Sequence, residues 1–404
     1  MKFMYNIGMK TYDVMITCAS GVEGILKKEL RGLGFFDTKA VDGKITLTAT
    51  STDIARFNMF LNTAERVLIV LKSFYADTFD MLYDGIKSIP FGDILPYNAR
   101  IIVNGKSKKS KLFALSSCQS IIKKAIVSTL VDRYHRHIFP ETGETYRFEF
   151  FINDDNVTFA LDTSGSGLHK RGYRDLVSEA PIKETLASAM LLLSDFSSDR
   201  AFIDPFCGSG TIAIEATRLA LNIAPGKLRD FDYKKWDFFD SNAYGIALQE
   251  ALDKETLDKK LRFSAFDIDK NAINLTMRHA KRAGLDKYLH IQTQDVKDLR
   301  SRYAGGTIVT NPPYGERLLE KKDAEKLYST LGTVWKNLDD WSIFVITACD
   351  TFEKAFGKKS DKNRKFFNAN LTCHYYQYFH SAWSGKECPC MHIGRSSVIY
   401  YIKK

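Results

Sequence analysis

No stretch of this sequence approaches the roughly 20 apolar residues that a membrane-spanning helix requires. The opening residues, MKFMYNIGMKTYDV, lack the apolar core of a secretory signal. Cysteine is sparse and odd in number, seven in 404 residues at irregular spacings, which argues against a disulfide framework and suits a reducing compartment. A cytoplasmic protein is the expectation from these absences. Metal-ligand pairs are missing as well. The nearest approach is Cys388-Pro-Cys390 with His392 beside it, but a structural zinc site needs a matching second pair, so no metal is expected. Internal repeats and low-complexity tracts are absent, and nothing in the sequence sets an oligomeric state.

What is present is a soluble-type composition, 45% hydrophobic, with length enough for two or three domains. The formal net charge of +10 points to a polyanionic partner. Up to about residue 65 the chain mixes elements. YDVMITCAS alternates like a strand, GVEGILKKELRGLG is an amphipathic helix stopped by glycine, and VDGKITLTAT is a second strand. A second α+β region, 66–166, carries ARIIVNGKSKKSKL, the helix SSCQSIIKKAIVSTLVDRYHRH, and a hairpin around Asn153, Asp154 and Asp155. From 167 onward, helices alternate with the apolar runs AFIDPF, LRFSAFDI, HIQTQD, TIVTN and SIFVITAC. Alternation of this kind predicts an α/β domain with a mostly parallel sheet. NLTCHYYQYF and SSVIYYIKK, with no helix between them, predict an antiparallel edge. The segment Phe231 to Lys260 is longer than a usual connection and reads as an insertion.

Acidic residues are missing where lysines concentrate. Lys106, Lys108, Lys109, Lys111, Lys123 and Lys124 follow one another without an intervening acid. Such a single-sign stretch is the footprint of a phosphate-backbone binder, the alternative being a merely solvated basic face. TSGSGLHKRGYR then looks like a hinge. Its His169, Lys170, Arg171, Tyr173 and Arg174 form a basic-aromatic cluster, placed either to contact the polyanionic partner or to close over a bound ligand.

The chemistry-bearing residues sit at predicted strand ends. Asp204 ends the first parallel strand and is followed by Gly208, Gly210 and a helix, so backbone can approach a ligand closely there. Neither the lysine of a P-loop nor a full G-x-G-x-x-G accompanies it, so triphosphate and NAD are not indicated. The second strand ends in Asp267 and Asp269, where a carboxylate can accept from ribose hydroxyls, or cap the next helix. Asp295 ends the third and could accept from an adenine amine. The fourth stops at Asn311-Pro312-Pro313-Tyr314, because two prolines forbid further ladder bonding. An adenosine-containing cofactor across successive strand ends accounts for all of these together; an ordinary strand-terminating turn would account for the last alone.

DPFCGSG, FDID and NPPYGERL, in this order, resemble the S-adenosylmethionine motifs of amino-methylating class I methyltransferases. LHKRGYR, APIKETLASAML, IAPGKLRDF and SKLFALSSCQSIIKKAIV are similar to the THUMP-domain family of RNA guanine-N2 methyltransferases, near its large-subunit ribosomal RNA members. The resemblance runs from about Tyr12 to the end, without the second methyltransferase fused in some members. It implies a ferredoxin-like region over 1–65, a THUMP domain over 66–166 and a Rossmann-like, seven-stranded methyltransferase domain over 167–404. S-adenosyl-L-methionine would be the cofactor, lined by Asp204, Phe206, Cys207, Gly208, Gly210, Asp267, Ile268, Asp295 and Asn311. Asn311, Pro312 and Tyr314 would face the target base. RNA, ribosomal in preference to transfer RNA, would be the partner, held by the six lysines with His169, Lys170, Arg171 and Arg174.

Overall fold

The computed structural model describes residues 10–175, 182–315, 318–368 and 371–380, so Cys388, Cys390, His392 and SSVIYYIKK lie outside the described residues. The N-terminal elements are β1 (Thr11–Cys18), α1 (Glu23–Gly32), β2 (Lys39–Val41), β3 (Lys44–Thr50), α2 (Ser51–Phe60), β4 (Ala64–Tyr75), α3 (Phe79–Lys87), β5 (Arg100–Lys108), α4 (Leu115–Tyr134), β6 (Thr145–Asn153) and β7 (Asn156–Asp162). They form one seven-stranded sheet, ordered β2-β3-β1-β4-β7-β6-β5. Only the β5–β6 pairing in it is parallel. The two α+β regions read from sequence therefore share a sheet, and the 12-residue β4 crosses the boundary drawn at residue 65. Period-two burial explains β6, where Tyr146, Phe148, Phe150 and Ile152 turn inward together. Phe91 meets the rings of Phe148 and Phe159 edge-on beneath that face. Gly105 is required opposite Phe150, whose ring a Cβ would meet at 2.4 Å.

The second half comprises α5 (Glu184–Leu193), β8 (Ala201–Asp204), α6 (Thr211–Ala220), α7 (Ala243–Asp253), β9 (Phe263–Asp267), α8 (Lys270–Arg282), β10 (Leu289–Thr293), β11 (Gly306–Thr310), α9 (Leu318–Lys336), β12 (Trp341–Thr347), α10 (Phe352–Phe356), β13 (Lys362–Asn368) and β14 (Leu371–Tyr378). Its sheet is ordered β10-β9-β8-β11-β12-β14-β13. The β8–β12 strands pair in parallel, and β14 runs antiparallel to both β12 and β13. The described partner of β14 at the antiparallel edge is thus β13, a strand its charged sequence KNRKFFN concealed. β8, β11 and β12 are buried along their whole length, as expected of strands covered on both faces. The chain builds outward from β8 through β9 to β10, then returns to lay β11 on the other side of β8. A crevice opens at such a reversal, outside the carboxyl ends of the strands.

The expected insertion joins the two sheets. Phe231, Tyr233, Trp236 and Phe239 are buried. Trp236 stacks on Tyr146 at 5.3 Å and Phe239 on Tyr12 at 6.1 Å. α7 packs on α2, where Arg56 reaches Glu250 through two hydrogen bonds of 2.7 and 3.0 Å. A buried ionic knot completes the junction. Glu215 on α6 accepts from Arg218 at 2.8 Å and Ser188 at 2.6 Å and lies 3.5 Å from Arg171. Both arginines also reach Asn62, at the foot of β4. Burial alone would raise the Glu215 carboxyl, but Arg218 and Arg171 overcome it and hold it at about 2.

Candidate active site

The crevice floor is the loop Phe206–Gly210 between β8 and α6. Gly208 and Gly210 take φ of +53° and +83°, a region that favours glycine. A Cβ on Gly210 would come within 2.8 Å of Thr276, whereas one on Gly208 would meet nothing within 4 Å. Gly208 thus presents bare backbone to open space. α8 secures the loop from behind, with the Thr276 hydroxyl donating to the Gly208 carbonyl at 2.9 Å and His279 Nδ1 3.0 Å from the Ser209 carbonyl. Neither residue was singled out in the sequence, although their i, i+3 spacing on an amphipathic helix was a usable signal. Cys207 is buried, and burial pushes its thiol well up, so it stays protonated.

Three carboxylates border this floor. Asp204 is enclosed; its Oδ1 accepts from Thr310 at 2.7 Å and from the Phe206 amide at 3.3 Å. Its Oδ2 is buried with no hydrogen-bond partner among the described residues. Burial raises this carboxyl to about 7, against the opposing pull of the Thr310 hydroxyl and the Phe206 amide. Asp267 accepts from the Gly208 amide and the Asp269 amide, each at 2.9 Å. Those bonds take one lone pair on each carboxylate oxygen and leave the others for further donors. Asp269 itself caps α8 through the Asn271 amide. Beside them Ile268 is 70% exposed, an apolar side chain with a free face. Asp295 caps a short 3-10 turn, accepting from the Lys297 amide and pairing with its ammonium, both at 3.0 Å; those bonds hold its carboxyl below the usual range. Bare glycine backbone, an unpartnered buried carboxyl oxygen, carboxylates with lone pairs to spare and a free apolar face fit the ammonium, ribose and purine of an adenosyl amino acid.

Across the crevice, β11 ends at Thr310, whose bond to Asp204 ties the next residues to the glycine loop. Asn311 follows, and its Oδ1 accepts from the Tyr314 hydroxyl at 2.7 Å. Pro312 is buried and Pro313 exposed. The Pro313 carbonyl accepts from Tyr328 at 2.7 Å. Asn311, Pro312 and Tyr314 therefore share one side of the crevice with the glycine floor opposite.

The basic residues divide. Lys106, Lys108, Lys109 and Lys111 are exposed, with Lys106 and Lys108 on one side of edge strand β5. Lys111 is paired with Asp77 and Lys123 with Glu141, both at 2.6 Å, while Lys124 is exposed with its ammonium over the Tyr83 ring. In the hinge only Lys170 among the four named cations is exposed. Arg171, expected to contact RNA, instead has its side chain 2% exposed and spends its charge on Glu215. Arg174 is held by Thr211 at the start of α6 and by the Ile182 carbonyl and Glu184 beside the start of α5. His169 leans on Glu65 at 3.3 Å. A guanidinium taken out of water needs a carboxylate or carbonyl partner, and these have found theirs inside.

Comparison with known proteins places this arrangement. Residues 171–377 match the model of the RMKL-like methyltransferase domain, 13–68 that of the RlmL ferredoxin-like domain, and 76–162 that of the THUMP domain. The chain is 41% identical over 373 residues to "Putative RNA methyltransferase YpsC" of Bacillus subtilis, covering 92% of this chain and 97% of that one. It is 30% identical over 370 residues to the ribosomal RNA large subunit methyltransferase K/L of Syntrophotalea carbinolica, covering 88% of this chain but only 52% of that enzyme. A solved structure described as "a putative methyltransferase complexed with SAH" superposes with a TM-score of 0.87 at 37% identity, over 93% of this chain and 99% of that one. Among the described residues no helix is long and apolar enough to cross a membrane. With its glycine loop, its strand-end carboxylates and its Asn-Pro-Pro-Tyr turn in one crevice, the chain belongs to the RMKL-like family of S-adenosylmethionine-dependent methyltransferases.

Proposed function

We propose that this protein transfers a methyl group from S-adenosylmethionine to the exocyclic N2 amine of a guanine in RNA, with large-subunit ribosomal RNA as the substrate. The observation that carries the reading is the Asn311–Tyr314 turn at the carboxyl end of β11, facing the glycine floor and joined to it through Thr310 and Asp204. The THUMP match, the exposed lysines of β5 and the names its relatives carry support RNA over DNA or protein.

An exocyclic amine on a purine is a poor nucleophile because its lone pair is delocalised into the ring. S-adenosylmethionine, when bound, supplies an electrophilic sulfonium methyl. The chain's part is alignment. Asp204, the Gly208 backbone, Asp267, Ile268 and Asp295 would hold the donor, and the Asn311 oxygen and the Pro312 carbonyl would accept the two N–H bonds of the amine and so orient its lone pair. A carboxamide oxygen has two lone pairs, so Asn311 can serve the amine while keeping the Tyr314 hydroxyl. The Tyr314 ring offers a stacking face to a base extruded from an RNA fold at a cost of a few kcal/mol. No strong base is required before transfer. Lys106, Lys108, Lys109 and Lys170 supply phosphate contacts at a distance from the chemistry.

The test is methyl transfer from labelled S-adenosylmethionine to unmodified ribosomal RNA and, separately, unmodified transfer RNA, followed by nucleoside analysis. The expected product is N2-methylguanosine from ribosomal RNA. Label in transfer RNA alone would reassign the substrate, and bound cofactor without label in either RNA would favour a non-catalytic RNA-binding or assembly role.

A further inference from the structure

The Asn311–Tyr314 turn has few torsions left to fix. Both proline rings lock φ, and each residue that precedes a proline, Asn311 and Pro312, is confined to extended ψ. The remaining soft torsion is ψ of Pro313, which determines where Tyr314 leaves the turn. Neither proline has an N–H, so backbone bonding through that dipeptide must use carbonyls. Tyr328, fully buried in α9, donates its hydroxyl to the Pro313 carbonyl at 2.7 Å. Its own oxygen lies 3.0 Å from the Thr347 hydroxyl at the end of β12. Since the Tyr328 proton goes to the carbonyl, Thr347 donates into Tyr328, and a polar chain runs from the neighbouring strand to the turn. Phe352 meets the Tyr328 ring edge-on at 5.0 Å and fixes its plane. Burial pushes the hydroxyl up to about 12, so it remains a donor at any working pH.

We infer that Tyr328 is a positioning residue for methyl transfer: by holding the Pro313 carbonyl it fixes ψ of Pro313 and the Pro313–Tyr314 peptide plane, and with them the hydrogen bond from Tyr314 to Asn311. It touches neither base nor cofactor. The proline rings and the extended ψ of Pro312 already give the Pro312 oxygen one direction, and the anchor settles the one torsion they leave free. The same anchor delivers the Tyr314 hydroxyl to the Asn311 oxygen. Without the anchor Tyr314 and the Asn311 oxygen it holds would wander by fractions of an ångström, which alignment-driven catalysis does not tolerate.

This inference rests on the reading of the turn as the amine acceptor, and its test separates the two. Tyr328→Phe keeps the ring and removes only the hydroxyl. In the full chain, kcat is expected to fall about tenfold or more while KM for S-adenosylmethionine and for RNA stay within about twofold. Thr347→Val, which leaves the Tyr328 donation in place but removes its support, should lower kcat by less, and it carries the kinetic test if Tyr328→Phe does not fold. A lowered melting temperature with unchanged kcat in both variants would reduce Tyr328 to a packing role and overturn the inference. A crystal structure of Tyr328→Phe decides the matter independently of the acceptor. A rotated Pro313 peptide with the Tyr314–Asn311 bond broken supports positioning, and an unmoved turn refutes it. Failure of the functional reading would show differently, as a wild-type chain that labels no RNA.

Discussion

At the scale of single residues, the turn and the buried carboxyl give the sharpest expectations. Asn311→Ala removes the side-chain acceptor; turnover should fall by about a hundredfold or more while calorimetric binding of cofactor and RNA persists. Persistent turnover would remove Asn311 from the mechanism. Asp204 carries a pH signature. Its folded value of about 7 lies above the ordinary 3.8, so the folded state holds a proton that the unfolded chain has released in between. Stability from this group is therefore fully present below about pH 4 and drains as pH rises to 7. In the proposed site, receipt of the donor's ammonium would favour the ionised carboxylate. Affinity for S-adenosylmethionine should thus rise with pH up to about 7, by at most about tenfold per unit, and titration calorimetry of Asp204→Asn should show that dependence flattened. These residues were legible in the sequence because acids, glycines and prolines punctuate strand ends in a fixed order. Arg171 was not. In HKRGYR it looks like any other exposed cation, and the Glu215 that draws it inside stands 44 positions along the chain. Tyr328 was equally silent, one aromatic in a long amphipathic helix.

Among the elements, β5 carries the exposed lysines proposed to hold phosphates, and the 231–260 segment joins the two sheets. Lys106 and Lys108 project together from an edge strand, and Lys109 follows in a left-handed turn at φ +51°. Replacing all three with alanine should lower the slope of log affinity against log salt by about 0.7–0.9 for every phosphate left without its lysine, measured by filter binding. Lys111 and Lys123 already have acidic partners, so alanine at either should change the slope less. The 231–260 segment stood out in the sequence as surplus to a connection, but its purpose depends on surfaces far away in the chain. Trp236→Ala would strip the stack on Tyr146 and open a cavity at the junction, at a cost of about 3–5 kcal/mol, read by denaturant unfolding. The parallel strands were legible as apolar runs. β4 was harder: AERVLIVLKSFY serves two regions at once, and nothing in its composition says on which side of it a domain ends. β13 was hidden because an edge hairpin carries charge on its exposed face.

For the whole molecule, the Glu215 knot and the aromatic clamp make the junction between sheets a buried interface with its own core. Glu215 is held at about 2 against an ordinary 4.5, so its contribution is present above about pH 4.5 and disappears as pH falls toward 2. Glu215→Gln leaves Arg171 and Arg218 buried without their carboxylate, and should cost about 3–5 kcal/mol at neutral pH in chemical denaturation. A junction built this way also sets the span between the lysines of β5 and the Asn311 turn. On the reading proposed above, the enzyme then cannot reach for its target base; the RNA must already hold phosphates and target that far apart. A short hairpin bearing the right nucleotide would meet one end of this gauge and miss the other, so selection falls on the architecture of the RNA more than on the letters around the methylated base.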